Sequence, residues 1–125
     1  MPLFQLHRRQ MKNPVSRPVL DRQLALSRVG GDEELLREIA AIFLEEYPKG
    51  LAEIRGAIAS AGGKQLESAA HAMKGSVSNF GARPAVEAAA QLEQMGRSQS
   101  MQDCGDTLSS LEEALSALRS ELEAL

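Results

Sequence analysis

Near the C-terminus seven residues, Cys104, Leu108, Leu111, Leu115, Leu118, Leu122 and Leu125, alternate in steps of four and three. That spacing lines them up along one stripe of an α-helix, an apolar seam of coiled-coil type. A strand, whose faces alternate every second residue, would scatter the same leucines over both sides. The seam therefore demands other helices as partners, supplied by this chain or by a second copy. Packing into the chain's own bundle is the simpler expectation, and pairing of two chains is the alternative.

The rest of the sequence supplies those partners. The chain has 125 residues, enough for one domain with a real core, and its hydrophobic fraction is 43% with only 3% aromatic residues and no tryptophan. A core built from Leu, Ile, Val, Ala and Met favours helices over sheet. A short helix is expected from Leu20, with Leu20, Leu24 and Val29 apolar and Gly30-Gly31 stopping it. Asp32 reads as the N-cap of a second helix, followed by acidic residues that suit the positive end of the helix dipole. Leu35, Ile39, Ile42 and Phe43 form its expected inner stripe, which resumes in phase at Tyr47, Leu51, Ile54 and Ile58. The expectation is one long helix kinked near Pro48 and ending at Gly62-Gly63.

A third helix is expected from about Lys64 to Phe80, closed by Gly81, and a fourth opens at Pro84 and runs to about Gly96. The seam forms the last. The fold class is thus all-α, an antiparallel four-helix bundle with a short additional N-terminal helix. Residues 1–18, basic and with three prolines, read as a flexible tail or linker, and 19–125 as the domain.

Charge and composition narrow the function. A net charge of -3 gives no basic face for nucleic acid. No apolar run approaches the roughly 20 residues of a membrane span, and residues 1–20 carry no signal-peptide block, so a soluble, cytoplasmic chain is expected. The single cysteine forms no internal disulfide and suits a reducing compartment.

One stretch carries chemistry: HAMKGSVSNFGA, residues 71–82. At about 100° per residue, Leu66, Ala69, Ala70, Met73, Val77 and Phe80 gather on one buried face. His71 falls roughly 140° from the middle of that face and projects to solvent. Lys74 lies one turn on, beside it, where it can offset the charge of an incoming anion. Gly75 weakens its own helix by about 1 kcal/mol relative to alanine, a cost that suggests something must approach closely there. Ser78 keeps the next turn small and polar. A neutral imidazole is a competent nucleophile near neutral pH, and phosphate is the anion that fits. A metal site is disfavoured because the only other histidine, His7, lies in the tail.

These residues resemble the core of the histidine-containing phosphotransfer, or HPt, domain of multistep two-component phosphorelays. The family pattern of histidine, Lys-Gly at i+3 and i+4, and a glycine ten positions on is matched by His71, Lys74, Gly75 and Gly81, with Phe80 before the last. The segment LDRQLALSRVGGDEELLREIAAIFLEEYP, Leu20 to Pro48, is similar to the family's N-terminal half. The resemblance implies that His71 accepts a phosphoryl group from an aspartate of one receiver domain and relays it to another. Lys74 would neutralise the phosphoryl charge and Gly75 would admit the receiver.

Several family members carry a glutamine and an arginine beside the histidine on the following helix, and the matching positions are Glu93 and Arg97. Arg97 is expected to assist the phosphoryl group, with Ser78 in support. Glu93, whose charge would repel phosphate if it pointed inward, is left outside the binding set. The chain has no nucleotide loop and no magnesium-binding carboxylates, so no kinase activity of its own is expected. Mg²⁺ would come with the partner receiver domain, which a hybrid sensor kinase could supply in cis, and a monomer is favoured. The competing reading is a non-catalytic helical adaptor or dimerisation domain using the 104–125 seam. A small-molecule enzyme is a remote third, lacking a substrate pocket.

Overall fold

The computed structural model describes residues 18–125, which form five helices joined by short turns: α1 (Arg22–Arg28), α2 (Glu33–Ala59), α3 (Gly63–Ser78), α4 (Arg83–Ser98) and α5 (Cys104–Glu123). The expectation of a tail over residues 1–18 lies outside the described residues except for Pro18. Helices α2 to α5 make the bundle, and among the described residues none is long and apolar enough to cross a membrane.

Local chemistry sets the boundaries. Asp21 caps α1 by accepting from the Leu24 N–H at 3.1 Å, and the Asp21 N–H in turn donates to the Phe80 carbonyl at 2.9 Å, tying the start of α1 to the end of α3. Asp32 caps α2 in the same way through the Leu35 N–H. Helix α2 continues through Pro48 without interruption to Ala59. It does not reach Gly62-Gly63 as expected. Ala61 takes the left-handed conformation at φ 57°, reversing the chain, while Gly62 caps α3 and Gly63 is its first residue.

Helix α4 likewise passes Gly96, its expected end, and stops at Ser98, with Gln99 at φ 59°. Gly96 serves another purpose: a Cβ there would lie 2.5 Å from the Gly63 carbonyl and 2.6 Å from the Glu67 amide. No real side chain tolerates such distances. The paired glycines let α3 and α4 meet backbone to backbone, which governs how far side chains of one helix reach into the other.

The core confirms the C-terminal seam as internal. Cys104, Leu111, Leu115, Leu118 and Leu122 are buried, with Leu108 and Leu125 half-buried, and α5 packs on α4 and α2. Each fully buried leucine contributes about 1.5–3 kcal/mol of transfer free energy. The seam is thus spent within the chain, leaving the dimerisation reading without its apolar face.

One expectation about α2 fails. Its buried residues in the first half are Leu36, Ala40 and Phe43, whereas Leu35 is 39% exposed and Ile42 61% exposed. The bundle lies toward the Leu36 side of the helix. Ile39 and Ile42 instead border a groove of about 240 Å³ between α2 and α3, with Phe43, Tyr47, Met73 and Phe80 behind them. Phe43 stacks on Tyr47 and meets Phe80 edge-on, both at 5.3 Å between ring centroids, so the groove has a firm aromatic floor.

Candidate functional site

Helix α3 buries Leu66, Ala70, Met73 and Val77 and turns His71 outward, as its periodicity predicts. The imidazole side chain is 68% exposed. Gly75, one turn on, is also at the surface, and a Cβ there would meet nothing within 4 Å. No packing within the described chain therefore accounts for a glycine at this place, while the space above it is open. Ser78 turns its hydroxyl back to donate to the Gly75 carbonyl at 2.8 Å, so it supports the helix backbone beside the site.

The unforeseen residue is Glu93. Its side chain is only 8% exposed, and it points into the seam between α4 and α3, where it meets the side chains of His71, Lys74 and Arg97. Oε2 lies 2.9 Å from Nδ1 of His71 and 3.1 Å from an Nη of Arg97, and Oε1 lies 2.7 Å from Nζ of Lys74. The Lys74 ammonium, by its hydrogen bond, and then His71 hold this carboxyl below the usual glutamate range, against the opposing effect of burial. It is ionised at neutral pH and can only accept.

That fixes the ring. An ionised carboxylate facing Nδ1 requires a proton on that nitrogen, since a lone pair there would face negative charge. The lone pair of the neutral imidazole then sits on Nε2, the nitrogen with no partner among the described contacts. The imidazole is thus largely exposed, held on its Nδ1 side, and next to the open space over Gly75.

Arg97 stands at the outer end of the same seam. Its Nε donates to Glu67 of α3 at 2.9 Å, one Nη to Glu93 and the other Nη to Gln94 at 3.4 Å. The Glu67 carboxylate chiefly raises the basicity of this guanidinium. The sequence placed Arg97 beside the histidine helix; the structure directs it to carboxylates. A shallow recess lined by Lys64, Glu67, Ser68, His71, Glu93 and Arg97 completes the surface.

Position 93 was legible as a neighbour of His71 and no further. Its inward turn depends on the close approach of α3 and α4 at Gly63 and Gly96. The available signal was a glycine inside α4 together with Lys74 and Arg97, two cations on neighbouring helices beside His71, for which Glu93 is the acid on the Arg97 helix one turn away.

A helical bundle with one largely exposed imidazole, held on one side by a buried carboxylate, defines the class of site. Comparison with known proteins places that class. A family model described as the Hpt domain matches residues 38–121, well over half of the chain. The chain is also similar to a solved structure described as the crystal structure of histidine-containing phosphotransfer protein B (HptB) from Pseudomonas aeruginosa PAO1. The TM-score is 0.80 at 22% identity, covering 87% of this chain and 95% of that one, a likeness of fold. No curated protein matches significantly. The chain belongs to the Hpt domain family, whose members carry out histidine phosphotransfer in phosphorelay signalling and interact with receiver domains as intermediates rather than as kinases.

Proposed function

We propose that His71 is the residue that carries the phosphoryl group, on Nε2, between receiver-domain aspartates. The observation that carries this reading is the 2.9 Å contact between Nδ1 of a largely exposed imidazole and the buried Glu93 carboxylate, which leaves Nε2 as the outward nucleophile. In the transfer the Nε2 lone pair attacks phosphorus, the N–P bond forms, and the P–O bond of the receiver's acyl phosphate breaks with its electron pair returning to the aspartate carboxylate. The Nδ1 proton stays in place, facing Glu93. The reverse sequence delivers the group to the next receiver.

Phosphoryl transfer depends on positioning and charge neutralisation rather than on covalent assistance. Lys74 is the mobile cation: its side chain is 34% exposed and needs only to swing from Glu93 to reach a group on His71. Gly75 leaves room for the receiver's active site, and the groove bordered by Ile39 and Ile42 flanks the approach through Ala69 and Ala72 of α3. The receiver, on a separate protein or on a sensor kinase in cis, brings the aspartate and its Mg²⁺. The chain acts as a monomer in the cytoplasm, a reading supported by the buried C-terminal seam and by the lack of a membrane-crossing helix among the described residues.

The test is to incubate the chain with a phosphorylated receiver domain and Mg²⁺ and follow acid-labile, base-stable phosphate on the wild type and on His71→Gln. Label on the wild type alone is the expected result. Equal labelling of the variant, or none on the wild type from several receivers, overturns the assignment.

A further inference from the structure

The resemblance to other Hpt domains suggests that Arg97 touches the phosphoryl group, but its contacts direct it elsewhere. Each of its three guanidinium nitrogens donates to a protein oxygen, of Glu67, Glu93 or Gln94. The difference lies in the residue beside it. A glutamine at position 93 would offer the guanidinium no charge, whereas the Glu93 carboxylate adds a second ion pair to the one with Glu67.

A buried carboxylate is costly unless cations compensate it. Glu93 has Lys74 and Arg97, with the Nδ1–H of His71 as a further donor. Lys74 is the one that must leave, because a phosphoryl group on Nε2, with its negative oxygens, draws the ammonium away. When it goes, Glu93 needs a cation that stays. Arg97 is built for that: its Nε is anchored at 2.9 Å by Glu67 on the opposite helix, a contact that does not involve Lys74.

We infer that Arg97 is a positioning residue that acts through Glu93, holding this carboxylate charged and aimed at Nδ1 of His71 while Lys74 transfers its charge to the phosphoryl group. This rests on the proposed role of His71, but the state of the unphosphorylated ring tests it separately. Arg97 then controls which nitrogen of His71 is nucleophilic and does not control the lifetime of the phosphohistidine once formed. Lys74 does the converse.

The experiment uses the full chain, labelled with ¹⁵N, as wild type, Arg97→Ala, Arg97→Lys and Lys74→Ala. Long-range ¹H–¹⁵N spectra at about pH 8, where an imidazole is neutral, report the His71 tautomer without any phosphate. Arg97→Ala should shift the ratio away from Nδ1–H by about fivefold and slow transfer from a phosphorylated receiver by a similar factor, the size of a partly exposed ion-pair contact. Arg97→Lys should restore part of both. After loading with phosphoramidate, a small-molecule histidine phosphoryl donor, the phosphohistidine lifetime of Arg97→Ala should match the wild type, while Lys74→Ala changes it. An unchanged ring spectrum in Arg97→Ala, or a lifetime altered as in Lys74→Ala, overturns the inference. Should Arg97→Ala fold poorly, Glu67→Gln, which only loosens the outer anchor, must give a smaller tautomer shift in the same direction; no shift there is equally fatal. A wild type that takes up no phosphate while its ring responds to Arg97→Ala defeats the phosphotransfer reading and leaves this one standing.

Discussion

The histidine helix has two flanks, and they are built on opposite principles. Toward α4 the backbones meet at Gly63 and Gly96, and the space between is filled by a charged network centred on Glu93. Toward α2 the helix borders an open apolar groove with Ile42 61% exposed at its edge. The first flank is closed and polar, and it settles the proton and the orientation of His71. The second is open and apolar, suited to a surface that must be met and released. The proposed relay needs both properties, and α3 carries them on separate sides.

If the closed flank governs reactivity through helix spacing, widening it should be the most damaging change. Gly96→Ala must push α4 from the Gly63 carbonyl, costing about 1–3 kcal/mol as an overpacked contact does. Thermal unfolding should show that loss, and transfer should fall beyond it because Glu93 withdraws from Nδ1. Glu93→Gln keeps the shape and removes the charge. Loss of a charge-assisted hydrogen bond, about 1.5–3 kcal/mol, predicts transfer slower by about 10–100-fold in a receiver assay, with the fold intact. Wild-type rates in this variant would show that the polar flank is only structural.

The surface between the flanks gives a sharper contrast. Gly75→Ala adds a better helix former into empty space and should stabilise the chain by up to about 1 kcal/mol, raising Tm. Transfer from a receiver should nevertheless slow about tenfold, a steric cost of about 1.4 kcal/mol at the approach, while loading by phosphoramidate is unaffected. On the open flank Ile42→Ser should change stability by about 0.5 kcal/mol or less, as an exposed position does. Receiver affinity should weaken severalfold, measured by titration with an inactive receiver. A receiver that binds this variant equally well removes the groove from the docking surface.

The smallest effect is in pH. Glu93 has a depressed pKa in the folded chain, so the stability it contributes is present above the unfolded-state pKa and is lost as pH falls through the folded value. Lys74→Met removes the largest cause of that depression. Its unfolding midpoint should begin to fall at a higher pH than that of the wild type during acid titration; coincident acid limbs would show that Lys74 does not hold the carboxylate.

What could be read from the sequence divides along the same line. Helical phase alone turned His71 outward and placed Leu66, Ala70, Met73 and Val77 inside, because an amphipathic helix against a bundle leaves only one face for each. The C-terminal seam was legible for the same reason. The α2 stripe was not: Leu35, Ile39 and Ile42 are as apolar as Leu36 and Phe43, and periodicity cannot tell a core stripe from the exposed rim of an adjacent groove. Helix ends at Ala61 and Gln99 were missed because non-glycine residues there take the left-handed turn, while Gly62, Gly63 and Gly96, which look like stop signals, begin or line a close helix contact. Glu93 was hidden by that contact, since its direction depends on the distance between two backbones and not on any pattern along one.

The central claim is that the Glu93 carboxylate keeps a proton on Nδ1, the inner side of the ring, and leaves Nε2 to carry the phosphoryl group. The most direct measurement is ³¹P and ¹⁵N NMR of the chain after transfer from a phosphorylated receiver domain. The account predicts a single phosphorus bonded to Nε2 of His71 with a proton retained on Nδ1; phosphate on Nδ1, or on any residue other than His71, would contradict it.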